Sequence, residues 1–372
     1  MIIIFLSFIL SAVLVFMMIP HIMMLSLRKR LFDPIDPRKV HASPASRLGG
    51  VTFFPAILFS VFSCISINIL FPQFFDTNIV PNVRLILVVL SLLMLYLIGV
   101  SDDMVGASFK VKFFVQIIAA ILIISSDVYF KTLHGIFGIY EIPSYIGVPV
   151  TLLFYVFVTN SINLIDGIDG LASLLSIMAL AVYSALLFLS SGLTVELLFT
   201  TATLGALVPF CYRNIFGVRR AIKSKIFMGD TGALVIGALL GFAAVSVWNI
   251  AYDNHLSYTY GRMFSVLSYT MLLVPCLDVV RIVIHRYRSH KPLFMPDKNH
   301  IHHKFMAIGF TPHQALFSIV TMNLLFLILN IVLALYINII WVVVIDLAVW
   351  SAFHITLTKR IASYESSSEQ KR

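Results

Sequence analysis

Residues 163–170 read Asn-Leu-Ile-Asp-Gly-Ile-Asp-Gly. One apolar stretch leads into them from residue 146, and another leads away to residue 191. Each is close to the ~20 residues that a helix needs to cross a bilayer. Carboxylates at the edge of lipid are costly, and the default reason for keeping them is function. This stretch decides two matters together: the chain is a membrane protein, and Asp166 and Asp169 mark its chemistry.

On either side of it, the apolar runs predict helices roughly over 2–27, 48–71, 83–100, 110–127, 146–162, 169–191, 196–213, 231–251, 264–286, 313–335 and 338–358. The fold expected is all-α, a polytopic integral membrane protein of about 11 transmembrane helices. Of 372 residues, 60% are hydrophobic and only 12% are charged, too little charge for the surface of a soluble protein this size. Residues 1–358 read as one transmembrane helical domain with catalytic loops, and 359–372 as a polar tail. The first run, Met1–Leu27, has no basic start and no small-residue cleavage site, so it reads as a retained helix. Cys64, Cys211 and Cys276 all fall in apolar spans and read as core residues.

Charge fixes the expected orientation. With the N-terminus outside and the C-terminus cytoplasmic, all but Arg84, Lys131 and Arg262 of the 26 Lys and Arg fall on the cytoplasmic side. The net charge of +9 is therefore spread over alternate loops, which argues against a nucleic-acid partner. The bilayer itself is the expected partner.

Four groups of unusual residues converge on that cytoplasmic face. Asp102-Asp103 ends the third span, followed by Gly106, Lys110 and Lys112. Adjacent acids repel, so such a pair favours a cation or a shared proton. Asn160, Asn163 and Asp166 recur at spacings of three, near one helical face, with Asp169 close behind. Their oxygens suit Mg²⁺, which keeps waters and shares phosphate oxygens, while Gly167 and Gly170 allow a close backbone approach. Phe227-Met228-Gly229-Asp230-Thr231-Gly232 opens the eighth span, where Asp230 reads as an N-cap beside a phosphate-attracting helix terminus. Pro296-Asp297-Lys298-Asn299-His300-Ile301-His302-His303-Lys304 carries three histidines in four residues. With no cysteine nearby and basic flanks, it suits a diphosphate better than zinc. A weaker fifth loop holds Arg38, Lys39, His41, Pro44, Arg47, Gly49 and Gly50. Asp278, inside the ninth span, is expected to pair with Arg281 or another polar group and hold the fold.

Each group alone has an ordinary explanation: a solvated helix end, a cap, or a basic loop at an anionic membrane. Together, in this order, they resemble the polyprenyl-phosphate N-acetylhexosamine-1-phosphate transferases over nearly the whole chain. The matching segments are the Asp-Asp pair, Asn163–Gly170, Phe227–Gly232 and Pro296–His303. The His300-Ile301-His302-His303 pattern resembles the bacterial branch that moves GlcNAc-1-phosphate onto undecaprenyl phosphate, rather than the MurNAc-pentapeptide branch.

The resemblance implies an enzyme of the bacterial cytoplasmic (inner) membrane. Its substrates would be undecaprenyl phosphate and a UDP-N-acetylhexosamine, UDP-GlcNAc first, and it would begin an envelope polysaccharide and release UMP. Mg²⁺ is the implied cofactor, held by Asn163 and Asp230, with Mn²⁺ open because it takes the same oxygen donors. Asp102, Asp103 and Asp166 are carried over as catalytic. Lys112, Asn160, Asp169, His300, His302, His303, Lys39 and His41 are carried over as substrate-binding. A second copy of the chain, as a homodimer, stays among the candidate partners. The rival from another class is an ion-coupled transporter, which would place its acids near mid-bilayer in two related halves; a scaffold without chemistry would not need the acids at all.

Overall fold

The computed structural model describes residues 1–29, 45–74, 81–217, 225–290, 292 and 299–369. Lys39, His41 and Lys298 lie outside the described residues. Twelve helices follow in chain order: α1 (Ile2–Lys29), α2 (Phe53–Leu70), α3 (Val83–Val105), α4 (Phe109–Ser125), α5 (Ser144–Ile165), α6 (Leu171–Ser191), α7 (Val195–Phe216), α8 (Gly229–Asp253), α9 (Tyr258–Arg288), α10 (Ile301–Ala307), α11 (Pro312–Tyr336) and α12 (Ile339–Glu369). All but α10 coincide with the helices predicted from the apolar runs.

Ten of these helices are long and apolar enough to cross a membrane. The eleventh expected span, α4, has 17 residues, or about 26 Å at 1.5 Å per residue. It nevertheless traverses the same depth as α3. At one end Lys112 reaches the Asp102 carboxylate (3.1 Å), and at the other Arg84 Nε donates to the carbonyl of Ser126 (3.0 Å). The protein is therefore an all-α, multi-pass membrane protein, as the sequence led one to expect.

Helix α8 is the centre of the bundle. It is buried almost throughout and packs against α3, α5, α6 and α9. Small residues allow this: Gly237 lies against Thr159 and Gly241 against Tyr155, so α5 and α8 meet at close range. Around that centre, α1 packs on α7 and α2, and α11 on α9. The three cysteines are free thiols.

Two small strand pairs depart from a purely helical expectation. β1 (Ala45–Ser46) pairs in parallel with β4 (Lys225–Ile226), which brings the loop before α2 alongside the loop before α8. β2 (Thr132–Ile136) and β3 (Ile139–Glu141) form a hairpin within the weakly apolar segment 127–147. Trp248 Nε1 donates to the carbonyl of Thr132 (2.8 Å), which ties that hairpin to α8.

The last helix is fastened by a buried polar contact. Asp346 of α12, 1% exposed, accepts from Tyr269 Oη and from Asn330 Nδ2, both at 2.9 Å. Removing the acceptor strands two donors in an apolar setting. Asp346→Ala is expected to cost about 1–2 kcal/mol, read as a lower melting temperature in detergent, with a smaller loss for Tyr269→Phe.

Candidate functional site

The first turn of α8 begins with backbone N–H groups that have no partner inside the helix. Asp103, from the end of α3, supplies them. Its Oδ1 accepts from the Asp230 N–H (2.9 Å), and its Oδ2 accepts from the Thr231 N–H (2.9 Å) and hydroxyl (2.6 Å). The expectation that Asp230 caps this helix is thus corrected. Asp230 lies in the first turn, the N-cap position is Met228, and a carboxylate from another helix does the capping. These two amides are spent on Asp103, so they are not the phosphate-binding terminus that the sequence pointed to. Gly229 makes the junction possible. Its φ is +67°, and a Cβ there would sit 2.6 Å from an Asp103 oxygen and 2.1 Å from the Arg47 carbonyl.

With both Asp103 oxygens committed, its neighbour Asp102 faces the other way. Asp102 Oδ1 accepts from the Ala107 N–H (2.7 Å), across the tight turn between α3 and α4. Its Oδ2 accepts from Lys112 Nζ at 3.1 Å, and the same ammonium donates to Asp230 Oδ2 at 2.7 Å. One lysine therefore joins the Asp-Asp pair to the first turn of α8.

The segment 163–170 meets this group from α5. The helix runs through Asn163 to Ile165, and Asp166 is the first residue beyond it. Asn160 exchanges amide hydrogen bonds with Gln116 of α4 and also donates to the Val156 carbonyl (2.7 Å), so its side chain is bound inside the fold. Asp169 does not cap α6, which starts at Leu171 after Gly170. It pairs instead with Lys225 of β4. The Gly170 N–H donates to Asn214 Oδ1, and Asn214 Nδ2 donates to the Ile226 carbonyl (2.8 Å), which clips the segment to the loop before α8.

Asp166 is the acid with the worst surroundings. Burial pushes its carboxyl up to about 7, and the nearby charges of Asp169, Asp230 and Asp103 add to the rise. Among the described residues, five carboxylates (Asp102, Asp103, Asp166, Asp169, Asp230) gather here with the ion-paired lysines Lys112 and Lys225. A cluster with that imbalance fits a divalent cation. Among the described residues no three His, Cys, Asp or Glu side chains stand close enough to form a metal cage. A cation here would complete its shell from Asn163, water or substrate oxygens, which is the habit of Mg²⁺.

The histidines arrive from α10. Asp278 of α9 is fully buried and accepts from Arg281 (2.7 Å), from His300 Nδ1 (3.0 Å) and from the Ile301 N–H (3.1 Å). The expected Asp278–Arg281 pair is present, and its further task is to fix the histidine segment. His302 then packs on Gly167, where a Cβ would lie 2.3 Å from the imidazole. The close approach at that glycine is thus made by a side chain of the protein. His302 is 1% exposed, and among the described residues neither of its ring nitrogens has a hydrogen-bond partner. Burial, with His303 and His300 nearby, pushes it down to about 3, so it is a neutral imidazole. The three rings lie together, with centroids 5.7 Å apart for His300–His302 and 4.2 Å for His302–His303.

The structure thus gathers Asp102, Asp103, Lys112, Asp166, Asp169, Asp230 and His302 at one end of the bundle. Asn163 sits one helical turn before Asp166, and His300 and His303 flank His302. Gln116, Asn214, Lys225 and Thr231 were not singled out by sequence. Buried polar residues in apolar helices, as Gln116 and Asn214 are, were the available signal for two of them.

Known proteins resemble this chain over most of its length. The glycosyl transferase family 4 model matches residues 85–248. A Bacillus subtilis protein described as a probable undecaprenyl-phosphate N-acetylglucosaminyl 1-phosphate transferase is 29% identical over 336 residues, covering 88% of this chain and 84% of that protein. The Yersinia pestis undecaprenyl-phosphate alpha-N-acetylglucosaminyl 1-phosphate transferase is 28% identical, covering 78% of this chain and 73% of its own. The Mycobacterium tuberculosis decaprenyl-phosphate N-acetylglucosaminephosphotransferase is 28% identical, covering 73% and 68%. The resemblance read from the four motifs is borne out.

The raised Asp166 carboxyl has a consequence for stability. The folded protein keeps a proton up to about pH 7 that the unfolded chain, with an ordinary value of 3.8, has lost. The folded state binds more protons in that window, so stability falls as pH rises from about 4 to about 7. In EDTA, the melting temperature of the wild type is expected to drop across this range, and Asp166→Asn is expected to flatten the drop and melt higher at pH 7.5.

Proposed function

We propose that this protein transfers an N-acetylhexosamine 1-phosphate, GlcNAc-1-phosphate first, from a UDP-sugar to undecaprenyl phosphate. An oxygen of the lipid phosphate attacks the β-phosphorus of the donor, the bond from that phosphorus to the bridging oxygen breaks, and UMP leaves. The product is a lipid diphosphate sugar that begins an envelope polysaccharide. The site faces the cytoplasm of a bacterial inner membrane, in keeping with the placement of the basic loops.

The observation that carries this reading is the bridge from Asp102 through Lys112 to Asp230. An ammonium has three donors, and two are used on these carboxylates. The third is left for a phosphate oxygen, at the depth where a lipid phosphate and a soluble nucleotide can meet. The surplus of acids would repel a diphosphate on its own, and Mg²⁺ held by Asn163 and Asp230 would neutralise that charge and the charge that builds during transfer.

The remaining side chains position. Asp103 holds the first turn of α8 and so fixes Asp230. Asp102, gripped by Ala107 and Lys112, orients the ammonium. Asp278 sets His300, and the neutral, buried His302 packs on Gly167 and so fixes the segment that carries Asp166 and Asp169. Lys225 keeps Asp169 in place at the nucleotide-sugar pocket. A phosphate monoester has a second pKa of roughly 6 and is largely a dianion at neutral pH, so the lipid phosphate attacks directly and needs no strong base. Both Asp102 oxygens are already engaged, which also favours direct attack over an aspartyl-phosphate intermediate.

The deciding assay uses purified protein in detergent with undecaprenyl phosphate, Mg²⁺ and labelled UDP-GlcNAc, UDP-GalNAc or UDP-MurNAc-pentapeptide. Label is expected in lipid from UDP-GlcNAc, with UMP released. Asp230→Asn and Lys112→Gln are each expected to lower kcat at least about 100-fold, and EDTA to abolish transfer until Mg²⁺ is restored. Exchange of labelled UMP into UDP-GlcNAc without lipid phosphate would refute direct attack. No lipid-linked label from any donor would refute the transferase reading and leave transport to be tested.

A further inference from the structure

Away from this site, a groove of ≈ 580 Å³ runs between α9, α10 and α12. The transfer reaction makes no use of it. Its lining includes Arg281, Arg288, Lys304 and Lys359, and among the described residues no acidic side chain lines it. Its deeper part is apolar, with Leu277, Val280 and Trp350 among the walls. The side of the groove opens towards lipid: Ile284 is 46% exposed and Ile355 57%.

Two of its polar side chains have buried atoms without a hydrogen-bond partner among the described residues. His354 is 7% exposed, its ring sits edge-on to Trp350 at 4.4 Å, and neither ring nitrogen makes a hydrogen bond. Arg281 Nε is buried without a partner, while the other side of that guanidinium holds Asp278. Asp278 is hydrogen-bonded to Arg281, His300 and Ile301, and its charge offsets only part of the repulsion felt by Lys304. Lys304 donates only to the Thr358 hydroxyl (3.0 Å), and burial together with Arg281 holds it down at about 8. Four cations that share one partly spent carboxylate among the described residues, beside an apolar wall open to the bilayer, fit an anionic amphiphile. A free phosphate would use the cations and leave the apolar wall unused.

We propose that this groove binds an anionic phospholipid of the bilayer, with its phosphate among Arg281, Arg288, Lys304 and Lys359 and its acyl chains along Leu277, Val280 and Trp350. The bound lipid steadies the histidine segment, because Arg281 touches the groove on one side and Asp278 on the other. Asp278 in turn holds His300 and the Ile301 N–H. The occupant is distinct from the acceptor lipid, whose phosphate has to reach Lys112.

The test uses the full-length protein in nanodiscs of phosphatidylcholine, with or without phosphatidylglycerol. Native mass spectrometry reads retained lipid, and thermal melting reads stability. Neither readout requires transferase activity, so the inference stands or falls apart from the reaction proposed above. The wild type is expected to retain phosphatidylglycerol and to melt several degrees higher with it, and hydrogen exchange over 299–304 is expected to slow. Arg288→Gln with Lys359→Gln should lose most of that gain. Ser351→Trp, which fills the groove and leaves its charges, should lose it as well. Both variants should melt like the wild type in pure phosphatidylcholine. Equal stabilisation of wild type and variants would overturn the proposal. So would full stabilisation by inorganic phosphate alone, which would make the groove an anion site, or displacement of phosphatidylglycerol by equimolar polyprenyl phosphate, which would make it the acceptor site.

Discussion

The first turn of α8 poses the central physical problem of this fold. α8 is the most enclosed helix of the bundle, and its leading N–H groups emerge where little water is available to satisfy them. An unpaired buried donor costs on the order of 1–3 kcal/mol. Asp103 accepts from two of those amides and from the Thr231 hydroxyl, and it crosses from α3 to do so. That contact sets the register of α3 against α8. It therefore also sets where Asp102, one residue earlier, and Lys112, just after the turn, can stand. Arg47 and the loop before α2 close over the same turn, with the Gly49 and Gly50 amides donating to the Phe227 and Met228 carbonyls.

The acids gathered around that turn have different duties. Asp103 is structural to the point of having no oxygen to spare, Asp169 is held by Lys225, and Asp102 is held by Lys112 and a backbone amide. Asp166, among the described residues, stands beside the like charges of Asp169, Asp230 and Asp103. The sequence presents these residues as equals, two Asp pairs and a lone Asp. The fold distinguishes them by what each one faces, and their chemistry depends on those neighbours more than on their spacing.

Much of the architecture could be read in advance because hydrophobic run length is a local property. Eleven apolar runs became eleven long helices, and α10 was missed because a 7-residue helix carries no such signal. The convergence of the motifs was also legible, since alternate loops of a multi-span chain must share a face. What could not be read was the partnership of side chains on separate helices. Spacing put Asn160, Asn163 and Asp166 on one face, but nothing local says that Gln116 of α4 takes up Asn160. Glycine at 167 read as room for a ligand, and the room is taken by His302, whose approach depends on Asp278 a full helix away. Such pairings arise from packing between spans, which single-sequence periodicity does not encode.

The α3–α4 hairpin is tied at both ends, by Lys112 with Asp102 at one and by Arg84 with the Ser126 carbonyl at the other. Arg84 is further anchored by Glu196 at 2.7 Å. A pair of helices pinned this way behaves as a strut of fixed length, and α4 is the shortest helix among the spans. Hydrophobic mismatch with a thicker bilayer cannot be relieved by sliding one of these helices past the other. A short span of this kind is met by local thinning of the bilayer or by flanking side chains that reach out to the interface, as Lys110 and Lys112 at the start of α4 are placed to do. The pinned pair thus works as a spacer, holding the Asp102–Lys112 end at a set distance from the Arg84–Ser126 end.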